Sequence, residues 1–145
     1  MTDEASGTVP AQRMLRRTWP LLLAYGVALA LIAFWPQHVD KGMGFFLKTI
    51  TRYLPALTYN RIEFASNILL FVPLGILLAI LLSRRRYLIM PIGVVVSLTI
   101  ESAQGVFLSG RTSSISDLIA NTAGTCVGLL VVEFVDAVGR GARDR

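Results

Sequence analysis

Carboxyl and carboxamide side chains recur at helical spacing inside apolar sequence in the C-terminal half of this chain. Glu101 and Gln104 lie in one apolar run, and Asp117 and Asn121 begin another. At ~100° per residue, spacings of three or four residues place each pair on one face of a helix. Two carboxyl groups close together in a low dielectric do not both ionise readily, so one can hold a proton while the other accepts one. Glu101 and Asp117 are therefore the candidate catalytic residues.

A second set of polar residues has the chemistry to bind a ligand. Arginine pairs with phosphate or carboxylate oxygens, and a carboxamide orients polar groups through its N–H donors and its C=O acceptor. The candidate ligand-binding residues are Arg61, Glu63, Asn67, Gln104, Arg111 and Asn121. Structural roles stay open, because Asn67 and Asn121 could serve as interhelical hydrogen-bond partners, and Asp117 could cap a helix after Ser116.

Cysteine and histidine are too scarce for several kinds of site. Cys126 and His38 are the single residues of each type, so the chain can form neither an intramolecular disulfide nor a Cys/His zinc site. No metal or cofactor is expected. The sequence also lacks Ser/His or Ser/Lys pairs at catalytic spacing and a phosphate-cradling glycine loop, which disfavours an enzyme.

The elements that must position these residues are long apolar segments. Hydrophobic residues make up 54% of the 145 residues, above the ~45–50% of soluble domains. Crossing ~30 Å of hydrocarbon takes roughly 17–25 helical residues, and four segments are long enough: 19–35, 66–82, 87–108 and 117–135. The sequence predicts an all-α integral membrane bundle of four transmembrane helices. They form one domain, residues 19–135, between tails of residues 1–18 and 136–145, and the first helix is expected to be a plain anchor.

Basic residues beside the apolar segments orient the bundle. Short loops rich in Lys and Arg stay in the cytoplasm. Of the fourteen Lys and Arg residues, nine lie before the first segment, between the second and third, or after the fourth, and five lie in residues 36–65 and 109–116. This bias places both termini in the cytoplasm. Because the basic residues flank apolar segments, the net charge of +5 does not indicate a nucleic-acid partner.

This topology brings the polar residues to one depth. The second and fourth helices begin at the outer side and the third ends there, so Glu101, ~21 Å along its helix from Tyr87, lies in the outer half. Glu63, Asn67, Asp117 and Asn121 lie near the outer ends of their own helices. On the third helix, one face is predicted to carry Gly93, Ser97, Glu101 and Gln104. We therefore expect one polar pocket in the outer leaflet, with Arg61 and Arg111 just above it.

Proline and glycine shape two of the helices. Pro73 cannot donate to the carbonyl oxygen of Leu69, so it is predicted to bend the second helix, and Gly75 lets a neighbour approach the bend. Gly124 and Gly128 form a small-residue packing motif. The bend either opens a pocket or serves packing alone.

Taken in order, these residues resemble the VanZ-like family. The segment Glu63-x-x-x-Asn67-Ile68-Leu69-Leu70-Phe71-Val72-Pro73-Leu74-Gly75 is followed by Glu101-x-x-Gln104, Arg111 and Asp117-x-x-x-Asn121-x-x-Gly124-x-x-x-Gly128. The resemblance covers about residues 61–135 and implies a small multi-span protein of the bacterial cytoplasmic membrane. The family takes its name from a determinant of resistance to teicoplanin, a lipid-tailed glycopeptide antibiotic. Some relatives carry Asp-Lys-x-x-His after the first helix, whereas here Asp40-Lys41 is followed by Gly44 at the histidine position.

Residues and resemblance together leave two main functions open. The first is a protein that contacts membrane lipids and binds, or protects against, a lipid-linked cell-wall precursor or a lipoglycopeptide antibiotic. The second is an intramembrane enzyme that modifies such a lipid through Glu101 and Asp117. A small exporter is less favoured, because the first helix lacks a carboxylate. The oligomeric state does not follow from the sequence.

The predicted topology can be tested with cysteines placed at Lys48, Ser113, Arg85 and Arg143. We expect the first two to react with an impermeant thiol reagent in intact cells and the last two to be protected, because of the nine-to-five distribution of basic residues. The chain with only its natural Cys126 is the background control. The reverse labelling pattern would place the polar residues on the cytoplasmic side.

Overall fold

Four α-helices make up most of the chain that the computed structural model describes, which is residues 8–34, 58–107 and 114–143. They are α1 (Thr8–Ala33), α2 (Tyr59–Leu81), α3 (Ile89–Phe107) and α4 (Ile115–Arg143). A short 3-10 helix, Arg86–Leu88, leads into α3. The described ranges contain no strand, and the predicted all-α class is confirmed.

Three of the described helices are long and apolar enough to cross a membrane. The spans are Asn60–Leu81, Arg86–Phe107 and Ile115–Ala142, and α1 adds a shorter apolar stretch, Thr18–Ala33. The predicted first segment continued to Trp35, which lies outside the described residues. This is a multi-pass membrane protein, while the side on which the termini lie stays a prediction.

The helices extend beyond the apolar segments predicted for them. α2 begins at Tyr59, so Arg61 and Glu63 belong to its first turns, and α4 continues past Val135 to Arg143. Arginine and glutamate are good helix formers, and a helix end in the headgroup region can carry them in contact with water. Glu63 therefore lies one turn before Asn67 on the same helix.

The bundle has an apolar exterior and several polar residues in its interior. Large exposed side chains include Leu69, Val106 and Phe134, each at least 70% exposed. The buried polar residues of the described chain are Thr18, Ser97, Glu101, Gln104, Asn121 and Thr125. This distribution is the one expected when lipid replaces water as the solvent, because unpaired polar groups are costly in hydrocarbon.

The backbones of α2 and α4 are in direct contact, and no other pair of helices packs so extensively in the described chain. A Cβ atom added at Gly75, Gly124 or Gly128 would lie 2.2–2.3 Å from a carbonyl oxygen of the facing helix. Pro73 lies inside the continuous helix α2 between these contacts. Small residues allow this approach, which maximises van der Waals contact where no hydrophobic force drives helix association.

Thr125 lies where α2, α3 and α4 meet. Its carbonyl oxygen faces Gly75 on α2, and its side chain faces Gly93 on α3, where an added Cβ would be 2.7 Å from the threonine Cγ2 atom. The residue is fully buried, and its hydroxyl donates to the carbonyl oxygen of Asn121 at 3.0 Å. The sequence did not single out Thr125, because a threonine inside an apolar helix has no distinctive pattern.

The two ends of the bundle differ in chemistry. At one end, which we call the cavity end, the last residue of α1 and the last turn of α3 lie beside the first turns of α2 and α4. At the opposite end, Arg86 pairs with Glu133 of α4, with Nη1 and Oε1 2.6 Å apart, and also with Asp136. This ion-pair cluster holds the beginning of α3 against the last turns of α4.

The contact between α2 and α4 can be tested by replacing its glycines. Gly75→Ala and Gly128→Ala should each lower the free energy of unfolding by about 1–3 kcal/mol, because the new methyl group meets backbone that cannot move aside. Gly26→Ala and Gly139→Ala are matched controls, since nothing lies within 4 Å of a Cβ at those positions. The free energy of unfolding is measured for each of the four purified variants in detergent. Equal effects at the four positions would contradict close backbone packing.

Candidate functional site

A small cavity lies at the cavity end between all four helices. Its volume is about 60 Å³. The lining consists of Leu29, Ile32, Ala33, Asn67, Leu70, Phe71, Ile100, Glu101, Gln104, Asp117 and Asn121. Cavities of ~150 Å³ accept a benzene ring, so this one admits only a smaller group.

Glu101 enters the cavity from α3. The buried face of that helix consists of Ile89, Gly93, Ser97, Glu101 and Gln104, which includes all four residues that helical spacing assigned to one face. Glu101 is 7% exposed, and its Oε2 atom accepts a hydrogen bond from the backbone N–H of Ser114 at 3.1 Å. This bond joins the last turns of α3 to the beginning of α4.

Asp117 enters from α4 and is held by α2. Its Oδ1 atom accepts a hydrogen bond from Asn67 Nδ2 at 2.9 Å. Because α4 begins at Ile115, Asp117 lies in the first turn and not at the capping position after Ser116 that the sequence had left open. A carboxylate in this turn is stabilised by the positive end of the helix dipole.

Asn121 lies one turn further along α4 and connects it to α3. Its Nδ2 atom donates to the hydroxyl oxygen of Ser97 at 2.9 Å. Asn121 is 4% exposed and Ser97 is fully buried. The two polar side chains therefore satisfy each other inside the bundle, as membrane helices require.

The first helix contributes a wall of the cavity, so the expectation that it is a plain anchor was incomplete. Gln104 Nε2 donates to the carbonyl oxygen of Ala33 at 2.8 Å. The Tyr25 hydroxyl donates to the carbonyl oxygen of Leu70, which joins α1 to α2 as well. No sequence signal marks Ala33, because its contribution is a backbone oxygen.

Of the eight predicted site residues, five line the cavity, two do not, and one lies outside the described residues. Glu101, Asp117, Asn67, Gln104 and Asn121 are brought together. Arg61, exposed near the start of α2, and Glu63, half-buried, are outside the lining. Arg111 lies outside the described residues.

Cys126, which could also do chemistry, is not part of the cavity lining. Cys126 is half-buried on α4, and His38 lies outside the described residues. Within the described chain, no group of three or more His, Cys, Asp or Glu side chains could hold a metal ion. Among the described residues of the lining, the acidic ones are Glu101 and Asp117.

The fold and the cavity define a small helical membrane protein with a polar interior. A family model described as VanZ/LLP1 matches residues 19–136, a range that contains every residue of the cavity lining. The chain belongs to the VanZ/LLP1 family, which confirms the resemblance seen in the sequence. No curated protein and no solved structure matches the chain.

The hydrogen bond between Asn67 and Asp117 can be tested by a double-mutant cycle. Asn67→Ala and Asp117→Ala should show a coupling energy of about 0.5–3 kcal/mol in unfolding measurements, because each replacement removes the partner of the other side chain. Asn67→Ala combined with Glu133→Ala, at the opposite end of the bundle, is the control pair. Its effects should add within about 0.5 kcal/mol. If the effects also add for Asn67 and Asp117, the hydrogen bond between them contributes nothing to the free energy of unfolding.

Proposed function

We propose that this protein binds an amphiphile of the bacterial cell envelope in the cytoplasmic membrane. The ligand is a lipid-linked cell-wall precursor or a lipoglycopeptide antibiotic of the teicoplanin type, and the cavity takes one polar group of it. A single observation carries this proposal: two carboxyl groups and three carboxamides surround a cavity inside a bundle whose exterior is apolar.

Helix packing alone does not require carboxyl and carboxamide groups around a cavity. Ionisable groups within membrane helices are costly and mark ligand or proton sites more often than structural contacts. Here three polar residues of the cavity lining are each less than 10% exposed, and yet their side chains leave the cavity unfilled: Glu101, Gln104 and Asn121. A cavity kept open by polar residues is better explained by a ligand than by helix association.

The surroundings of the cavity suit a ligand with a lipid tail. Ile32 belongs to the lining and is 51% exposed on α1, so the cavity lies close to the lipid-facing surface of the bundle. A tail can remain in the bilayer while a polar group enters between the helices. In this proposal Arg61, exposed on α2, and Arg111 pair with phosphate or carboxylate groups that remain outside the cavity.

An intramembrane enzyme is the second candidate. Glu101 and Asp117 line the same cavity of about 60 Å³, and in this candidate they serve as the general acid and base that act on a bound lipid. Mass spectrometry of the ligand after incubation separates the two functions. An unchanged ligand supports binding, and a ligand of altered mass supports catalysis.

Glu101→Gln and Asp117→Asn should each reduce binding of lipid-linked cell-wall precursor or of teicoplanin at least about tenfold, because losing a charge-assisted hydrogen bond costs ~1.5–3 kcal/mol. Membrane accumulation should stay near normal, since both replacements keep side-chain size and hydrogen-bonding capacity. Binding to purified protein in detergent measures the effect, and resistance of expressing cells tests it in vivo.

Glu133→Gln is the matched control, because it makes the same chemical change at the ion-pair cluster away from the cavity. It should bind both ligands as the unmodified protein does. Full binding by the Glu101 and Asp117 variants, or failure of both to accumulate, would remove the support for a functional role of these acids.

A further inference from the structure

We infer that the end of the bundle opposite the cavity binds the phosphate group of an anionic phospholipid. The residues that carry this inference are Arg84 and Arg85, in the turn between α2 and α3, and Arg140, near the end of α4. We call these three residues the arginine site. They lie in a different part of the molecule from the cavity, and the inference does not depend on the proposed function.

The turn that carries two of these arginines is short and held by its own backbone. α2 ends at Leu81, and the 3-10 helix begins at Arg86. The backbone N–H of Arg85 donates to the carbonyl oxygen of Leu82 at 2.8 Å, and the carbonyl oxygen of Arg85 accepts the N–H of Leu88 at 3.0 Å. Both arginines of the turn are exposed, and the apolar spans on either side of it keep them close to the membrane surface.

The ion-pair cluster brings the end of α4 to this turn. Arg86, the residue directly after the turn, pairs with both Glu133 and Asp136 of α4. Arg140 follows Asp136 by four residues, so at ~100° per residue it lies on the same face of α4, ~6 Å further along the helix axis. The face of α4 that contacts the start of α3 therefore continues into Arg140, which is exposed.

Positive charge is in excess at this end of the bundle. Residues 83–88 and 133–143 contain five arginines and two acidic residues, which leaves a net charge of +3. The two acidic residues are the ones that pair with Arg86. A phosphate group here meets several guanidinium groups, and each of them can donate two parallel hydrogen bonds to its oxygens.

The depth of the arginine site favours a phospholipid over a soluble anion. One apolar span begins at Arg86, directly after the turn, and another ends at Ala142, two residues after Arg140. Tyr87, an amphipathic residue typical of the membrane interface, is 73% exposed beside the turn. The arginines therefore lie at the level of the lipid phosphates, where basic residues beside membrane spans attract anionic lipids.

The test uses the full chain in lipid nanodiscs that contain equal amounts of phosphatidylglycerol, phosphatidylethanolamine and phosphatidylcholine. Native mass spectrometry measures which lipids the protein retains. We expect at least about tenfold enrichment of phosphatidylglycerol over either zwitterionic lipid, because each arginine near the surface favours an anionic lipid about fivefold.

Arg84→Gln, Arg85→Gln and Arg140→Gln should each lower this enrichment about two- to fivefold, and the triple variant should abolish it. The matched control is the triple variant Arg84→Lys, Arg85→Lys and Arg140→Lys, which keeps the charge and should retain most of the enrichment. Thermal unfolding in detergent verifies that each variant is folded.

Equal retention of the three lipids by the unmodified protein would overturn the inference, and so would an enrichment that the triple glutamine variant keeps in full. Soluble polyglutamate is the second probe, added to the protein in phosphatidylcholine nanodiscs. If polyglutamate binds through these arginines while phosphatidylglycerol is not enriched, the partner is a soluble acidic protein and the inference is wrong.

Discussion

The contact between the backbones of α2 and α4 is the constraint on which the rest of the structure depends. Gly75, Gly124 and Gly128 bring carbonyl oxygens of one helix against the Cα atoms of the other. At this distance the helices have little freedom to rotate or slide, because any side chain larger than hydrogen would clash. Asn67, in the third turn of α2, and Asp117, in the first turn of α4, are thereby held within hydrogen-bonding distance.

The third helix is added to this pair through α4. Thr125 of α4 packs against Gly93 of α3. One turn away, Asn121 of α4 donates a hydrogen bond to Ser97 of α3, so the interface of the two helices combines close packing with a polar contact. At the far end Arg86 reaches Glu133 and Asp136. That cluster is partly exposed, as expected for charges near the headgroup region, whereas the polar groups at the cavity end are mostly enclosed by the bundle.

The cavity exists because α1 closes the bundle without filling it. Gln104 and Tyr25 attach α1 through backbone oxygens of Ala33 and Leu70, and these bonds leave a gap between the apolar side of α1 and the polar sides of α3 and α4. The bond to Ala33 also holds the amide nitrogen of Gln104 against the protein.

The sequence by itself determined the helical class, the polar face of α3 and the close packing at the glycines, since each depends on periodicity within one apolar segment or on the size of one residue. Agreement in depth between Glu101, Asp117 and Asn121 was also predictable, because it follows from the order of the helices. Only the tertiary structure decided which residues contact one another across the bundle. Gln104 forms a hydrogen bond with Ala33, 71 residues away, and Arg86 forms an ion pair with Glu133. Thr125 packs between two glycines of other helices. These pairings depend on how helices distant in the chain cross one another. No local pattern encodes the crossing, and a backbone oxygen such as that of Ala33 has no signature in the sequence at all.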